Sequence, residues 1–190
     1  QLNPPFRFRA AENQTGGARK DHGTVVRRFR GEGLHKVDAK GRVSIPALFR
    51  RVLEAADPDW TEGLNPNLVI VYGPASQKRL DCYTMEAIAE VDARIAALPR
   101  GSQNRRLLER IFNGMSLPSS VDETGRLVLP AKLRQKIGLE GEAYFIATGD
   151  TFQIWHPETY EREVAAQTEA LLAELPDGMD PLELLDAAAG

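Results

Sequence analysis

A segment of seventeen residues occurs twice in this chain. Residues 37–53 (VDAKGRVSIPALFRRVL) return 84 positions later as residues 121–137 (VDETGRLVLPAKLRQKI). Seven positions are identical, and they include an aspartate, a glycine, an arginine and a proline in the same places. Similarity at a constant spacing indicates the duplication of one structural unit. The fold must therefore accommodate two copies of one small motif.

Each copy has the pattern of a hairpin followed by a helix. A turn of the form Asp-x-x-Gly, at residues 38–41 and 122–125, leads into a short strand of alternating character. Pro46 and Pro130 suit the first turn of a helix, which we expect over residues 46–53 and 130–137. Gly138 follows the second of these helices, where a glycine commonly ends a helix.

The resemblance between the copies continues into a second hairpin and a longer helix. Residues 67–72 and 80–83 correspond to residues 143–146 and 152–155. The segments 80–83 and 152–155 are 72 positions apart instead of 84, so the first copy holds twelve extra residues. We expect the insertion, around residues 55–63, to be a surface loop. The longer helices are predicted at residues 85–98 and 157–175. A further helix is predicted at residues 105–112.

The size of each copy predicts how the chain is organised. A motif of about 45 residues rarely buries enough apolar surface to fold alone, so the copies should share one core. We expect an α+β fold in which the strands of both copies interleave, with peripheral helices and with sheet edges that favour homo-oligomers. The predicted segments are a flexible N-terminal arm (1–28), a first module with its helix (29–98), a linker helix (99–114), a second module with its helix (115–175) and an acidic C-terminal tail (176–190).

The charge of the chain is distributed unevenly. The formal net charge is −3, but residues 1–56 carry +7 and residues 57–190 carry −10. Binding follows the local potential, so a basic surface for nucleic acid is compatible with this total. No stretch approaches the ~20 apolar residues of a membrane helix. We therefore expect a cytoplasmic protein without membrane contact.

Residues suited to catalysis or metal binding are scarce. Cys82 stands where the second copy has Ile154, so an apolar core position is indicated. His22, His35 and His156 have no cysteine or histidine partner at ligand spacing. A Gly-rich phosphate loop is also missing from the sequence. We predict no catalytic site, no metal and no cofactor.

The first strand residue after each turn is an arginine, and the pattern has two interpretations. In the structural one, the aspartate caps the turn, Gly41 or Gly125 adopts a positive φ, and the arginine pairs with the aspartate. In the functional one, the glycine brings the backbone close to a partner. Arg42 and Arg126 then offer planar, permanently charged groups to phosphate or guanine.

The functional interpretation assigns roles to a defined set of residues. Asp38 and Asp122 would structure the turns, because a carboxylate would repel phosphate. Lys40, Arg50 and Arg134 would add phosphate contacts. The predicted DNA-binding residues are Lys40, Gly41, Arg42, Arg50, Gly125, Arg126 and Arg134.

Residues 29–32 (FRGE), residues 37–50 and the second turn at residues 122–126 resemble the MraZ family. The resemblance spans residues 29–175 and implies a bacterial transcriptional regulator built from two AbrB-like swapped-hairpin modules. It further implies sequence-specific binding to double-stranded DNA at short G-rich direct repeats in the promoter of the protein's own cell-division and cell-wall operon. Ring-shaped homo-oligomers and association with the nucleoid are also implied.

By this resemblance, the DNA-contact motif Asp-x-x-x-Arg of the family falls on residues 38–42 and 122–126. The chain departs from the family pattern in its N-terminal arm and at Thr124, which stands where the first copy has Lys40. An alternative remains open, in which the chain is a non-enzymatic oligomeric interaction module or an antitoxin-like protein. AbrB-like hairpins also occur in antitoxins, which bind DNA and a toxin. The second motif copy within one chain favours the regulator.

Overall fold

The computed structural model describes residues 28–176 and 178–187 of the 190-residue chain. The predicted arm, apart from Arg28, lies outside the described residues. The strands and α-helices of the described part are β1 (Glu32–Lys36), β2 (Arg42–Ser44), α1 (Ala47–Ala55), β3 (Asn67–Val71), β4 (Arg79–Tyr83), α2 (Met85–Ala96), α3 (Gln103–Glu109), β5 (Ser116–Ser120), β6 (Arg126–Val128), α4 (Ala131–Ile137), β7 (Glu142–Ala147), β8 (Thr151–Trp155), α5 (Pro157–Tyr160), α6 (Ala166–Ala173) and α7 (Leu184–Ala187).

Short irregular helical turns extend several of these helices. A π-helical turn (Arg110–Gly114) continues α3, a second (Glu161–Ala165) joins α5 to α6, and a 3₁₀ turn (Pro181–Glu183) precedes α7. The helix predicted at residues 105–112 is therefore longer at both ends. Across the part of the chain that the structure describes, no helix combines the length and apolar character that crossing a bilayer requires.

The helix boundaries follow local chemistry. The Thr84 side chain accepts a hydrogen bond from the backbone N–H of Ala87 at 3.0 Å, which caps the start of α2. Gly138 ends α4 with a φ of +67°, so the predicted helix stop is confirmed. The helices α1 and α4 begin one residue later than predicted, because Pro46 and Pro130 keep an extended ψ of 139° and 150°.

The strands of the two copies interleave in one antiparallel sheet. Its order is β1-β7-β8-β4-β3-β5, and β2 and β6 form a separate antiparallel pair. Strand β1 of the first copy pairs with β7 of the second, and β5 of the second copy pairs with β3 of the first. Each copy thus completes the sheet of the other. The predicted mixed α+β fold with shared strands is confirmed.

An aromatic cluster from both copies fills the centre of the core. Phe29 and Phe49 come from the first copy, and Phe145 and Phe152 from the second. The ring centroid of Phe152 lies 5.1 Å from Phe29 and 5.2 Å from Phe49, at tilted or edge-on angles. Such pairs contribute about 0.5–1.5 kcal/mol beyond their burial. Cys82 is fully buried in the same core, as its apolar counterpart predicted, and burial raises the pKa of its thiol.

The insertion of the first copy is a surface loop with a buried polar anchor. Most of its residues are exposed, as predicted, but Asp57 is only 5% exposed. The Asp57 carboxylate accepts hydrogen bonds from the backbone N–H and the side-chain amide of Asn67, both at 2.9 Å. A buried charge of this kind requires such partners. The loop is therefore fixed to the start of β3.

Substitutions of two adjacent residues in α1 test the shared core. Phe49 is 2% exposed and Leu48 is 62% exposed. We expect Phe49→Ala to lower the free energy of unfolding by about 3–5 kcal/mol, because it removes a ring that contacts both copies. Leu48→Ala should change it by no more than about 0.5 kcal/mol. Urea denaturation followed by circular dichroism measures both, and equal losses would contradict a core centred on this cluster.

Candidate nucleic-acid interface

The paired strands β2 and β6 form a short two-stranded ribbon. In its register Arg42 lies opposite Val128, and Ser44 lies opposite Arg126. The residues between them, Val43 and Leu127, are buried in the core. Because side chains alternate along a strand, the four flanking residues share the outer face. Arg42 and Arg126 are therefore diagonal neighbours on one surface, at a typical separation of ~7–8 Å.

The two turns before these strands have the same backbone hydrogen bonds. Asp38 Oδ1 accepts from the N–H groups of Lys40 and Arg42, each at 2.9 Å. Asp122 Oδ1 accepts from the N–H groups of Thr124 and Arg126, also at 2.9 Å. In both turns, the aspartate fixes the backbone on which the arginine stands.

These hydrogen bonds also lower the pKa of both turn aspartates. Acceptance from the Arg42 N–H is the main cause that lowers the pKa of Asp38. The hydrogen bond from the Thr124 hydroxyl is the main cause that lowers the pKa of Asp122. In both turns the hydrogen bonds therefore favour the ionised form of the aspartate.

The glycines place each turn against the other copy. Gly41 and Gly125 have φ values of +82° and +76°, which glycine adopts without strain. The Gly41 carbonyl accepts a hydrogen bond from the N–H of Leu129 at 2.7 Å, and the Gly125 carbonyl accepts one from the N–H of Ile45 at 3.0 Å. Each turn is thus held by the strand that follows the other turn.

Two helix arginines support this arrangement. Arg50 on α1 donates from Nη1 to the carbonyl of Glu123 in the second turn at 3.2 Å, and its Nε pairs with Glu54 at 2.9 Å. Arg134 on α4 donates from Nε to the carbonyl of Leu129 at 3.0 Å. Both guanidinium groups therefore already make hydrogen bonds within the protein. Their phosphate contacts stay a prediction, whereas their support of the ribbon is observed.

An open cleft of about 420 Å³ connects the two ribbon arginines. Arg42 and Arg126 line it together with Lys36, Asp38 and Ser44. Three cationic groups thus face one carboxylate in this cleft. Lys40 is exposed in the adjacent turn, which adds positive charge at the rim. Such a surface can bind an anionic partner.

Three further residues of this surface were missed by the sequence analysis. Lys36 lines the cleft, and Ser44 and Val128 lie beside the arginines on the ribbon face. Val128 is 46% exposed, as expected for a residue on the outer face of the ribbon. The strand alternation could have found Ser44 and Val128, since each stands two residues after an arginine.

Groups that could bind a metal do not cluster among the described residues. Within residues 28–176 and 178–187, no three His, Cys, Asp or Glu side chains come together as a metal site. The ring of His35 packs against Phe145 with centroids 4.9 Å apart, and burial lowers the pKa of His35. His22 lies outside the described residues.

The described chain thus consists of two interlocked copies of one α+β unit, and both copies contribute an arginine to a shared two-stranded ribbon. Comparison with known proteins identifies the family. A family profile described as "MraZ protein, putative antitoxin-like" matches residues 118–178. The chain is 71% identical over 164 residues to the transcriptional regulator MraZ of Ruegeria sp. (strain TM1040), which covers 86% of this chain and 98% of that protein.

Other relatives agree with this match. The transcriptional regulator MraZ of Ruegeria pomeroyi is 67% identical over 166 residues, covering 87% of this chain and 99% of that protein. That of Cereibacter sphaeroides (strain ATCC 17025 / ATH 2.4.3) is 47% identical over 165 residues, covering 83% and 95%. The chain belongs to the MraZ family, as its motifs predicted. Its relatives are named as transcriptional regulators, which are not enzymes, so the chain is not an enzyme.

The two turn glycines provide a test of the interlock. A Cβ on Gly41 would overlap the carbonyl oxygen of Leu129, whereas a Cβ on Gly125 would meet nothing closer than Arg50 Nη1 at 4.0 Å. We expect Gly125→Ala to lower the free energy of unfolding by about 1–2 kcal/mol, because alanine disfavours the left-handed backbone conformation at this position. Gly41→Ala should lower the free energy of unfolding by a further ~1–3 kcal/mol, because the backbone at Leu129 must move to admit the Cβ. Chemical denaturation measures both variants, and equal stability would contradict the close approach at Gly41.

Proposed function

We propose that this protein is a sequence-specific DNA-binding transcriptional regulator that reads short G-rich direct repeats through its two turns. The observation that carries the proposal is the placement of Arg42 and Arg126, both partly exposed, on the outer face of a two-stranded antiparallel ribbon. The major groove of B-DNA is wide enough to admit such a ribbon, and arginine pairs with guanine O6 and N7. The names of the relatives support the same function.

The proposed module type is the AbrB-like swapped hairpin, present in tandem. Its support is the exchange of strands between copies, since β1 pairs with β7 and β3 pairs with β5. We assign residues 29–98 and 115–175 to the two modules and residues 99–114 to the linker. The acidic residues of the C-terminal tail, 176–190, would repel phosphate and should lie away from the DNA.

Several subunits must act together in this proposal. One bidentate arginine–guanine pair contributes about 1–3 kcal/mol of discrimination, which is too little for a regulator. Strands β1 and β5 form the edges of the six-stranded sheet in the described chain. We propose a ring-shaped homo-oligomer that presents one ribbon to each direct repeat. Linked contacts of this kind raise apparent affinity by about 10²–10⁴-fold.

The proposed target is the promoter of the protein's own cell-division and cell-wall operon. The protein would act in the cytoplasm, associated with the nucleoid, without a cofactor. A second candidate is a non-enzymatic interaction or antitoxin-like module, which the description of the matching family profile favours. In that case a protein partner would occupy the ribbon instead of DNA.

Fluorescence anisotropy with labelled duplexes tests DNA reading. We expect the wild-type protein to prefer a duplex with several G-rich direct repeats over a scrambled duplex. The double variant Arg42→Ala/Arg126→Ala should lose this preference, because both groups on the ribbon face are removed. Its salt dependence should also fall, by a slope of about 1 for each lost phosphate contact.

The matched control removes the same charge elsewhere. Arg100 and Arg162 are both exposed and lie outside the ribbon. The double variant Arg100→Ala/Arg162→Ala should bind both duplexes like the wild type. If the ribbon variant kept its preference for repeats, or if the wild-type protein had none, the proposal would fail. The antitoxin-like alternative would then become the leading hypothesis.

A further inference from the structure

The two turns hold their arginines differently. In the first turn, Arg42 Nε donates to Asp38 Oδ2 at 2.7 Å and forms an ion pair with it. In the second turn, the guanidinium of Arg126 forms no hydrogen bond or ion pair with the residues that the structure describes. Asp122 instead accepts a hydrogen bond from the Thr124 hydroxyl at 2.7 Å. The motif is repeated, but the aspartate–arginine pair is not.

The residue at the third position of the turn also differs between the two copies. In the first turn it is Lys40, whose backbone N–H alone bonds to the aspartate. In the second it is Thr124, whose backbone N–H and hydroxyl both donate to Asp122 Oδ1. The threonine therefore supplies a neutral partner to the carboxylate. The Arg126 guanidinium makes no hydrogen bond to its aspartate, and the two groups interact only through the attraction of their charges.

This difference has a direct consequence for recognition. With Nε bound to Asp38, the two terminal nitrogens of Arg42 remain available as a pair of parallel donors. A guanidinium fixed in one orientation loses less conformational freedom when it binds, and its donors match guanine O6 and N7. An unrestrained guanidinium can follow any nearby phosphate oxygen. A contact with phosphate contributes electrostatic affinity but little discrimination between sequences.

The charges of the turns favour the same division. The first turn contains one aspartate, Lys40 and Arg42, and its formal charge is +1. The second contains Asp122, Glu123 and Arg126, and its formal charge is −1. The first turn can therefore approach the phosphate-lined groove closely, whereas the second is attracted less strongly. Close approach is what reading of base edges requires.

We propose that Arg42 is the specificity-determining arginine, that Asp38 is its positioning residue, and that Arg126 contributes mainly sequence-independent affinity. The inference rests on the proposed function and refines it. Each subunit would then read bases through its first turn and steady the ribbon on the backbone through its second. The two copies of the motif have thus diverged in role.

Matched substitutions of the two aspartates test this division. In Asp38→Asn and Asp122→Asn, the Oδ1 acceptor for the turn amides is kept and the same single charge is removed. The ratio of the Kd for the scrambled duplex to that for the repeat duplex measures discrimination. We expect Asp38→Asn to lower this ratio about tenfold, because the bidentate pair loses its support. Asp122→Asn should change it by less than about twofold.

The arginines themselves give the second readout. Arg42→Ala should abolish discrimination, whereas Arg126→Ala should weaken binding to both duplexes by the same factor and lower the salt slope by about 1. Arg42→Lys keeps the charge but not the paired donors, so it should lose discrimination at an unchanged salt slope. This variant also decides the question if Asp38→Asn fails to fold, as judged by thermal unfolding.

The outcomes separate this inference from the proposed function. Equal loss of discrimination in both asparagine variants would overturn the division of roles, and so would a loss confined to Asp122→Asn. In either case binding to repeats would still support the regulator. If neither Arg42→Ala nor Arg126→Ala altered binding to any duplex, both the inference and the proposed function would be wrong.

Discussion

The reciprocal pairing of β2 with β6 is the interaction on which the rest of the structure depends. It joins the two copies next to their turns. The N–H of Leu129 donates to the carbonyl of Gly41, and the N–H of Ile45 donates to the carbonyl of Gly125. The same pairing buries Val43 and Leu127 and turns the alternating residues outward. A copy alone would have neither a partner for its turn nor a complete core. The shared core and the placement of both arginines on one face therefore depend on the same strand pairing.

Features set by neighbouring residues were predictable from the sequence. The Asp-x-x-Gly turns and the stop at Gly138 each follow from a short side chain or a missing Cβ, and the structure has them. The duplication also predicted strands shared between copies, because one unit is too small to form a core. Which strands and which distant residues pair with each other was not predictable. Nothing local indicates that β1 pairs with β7 or that Asp57 anchors Asn67.

The candidate site shows the same limit at the level of single side chains. Both arginines could be placed after a turn from the sequence, but their shared face depends on the register between strands more than eighty residues apart. Arg50 illustrates the point, because its hydrogen bond to Glu123 crosses 73 positions. The sequence shows Thr124 at the position that corresponds to Lys40 in the first copy. Its effect on the aspartate became apparent only from the hydrogen bonds.

Hydrogen–deuterium exchange with and without repeat DNA tests most directly whether the ribbon is the binding surface. The account predicts slower exchange on DNA binding in peptides that cover residues 37–45 and 121–129, since these backbone groups lie next to the arginines. Peptides from α5 and α6, which belong to the acidic end of the chain, should exchange at unchanged rates. Protection confined to the helices, with the ribbon peptides unaffected, would contradict the account.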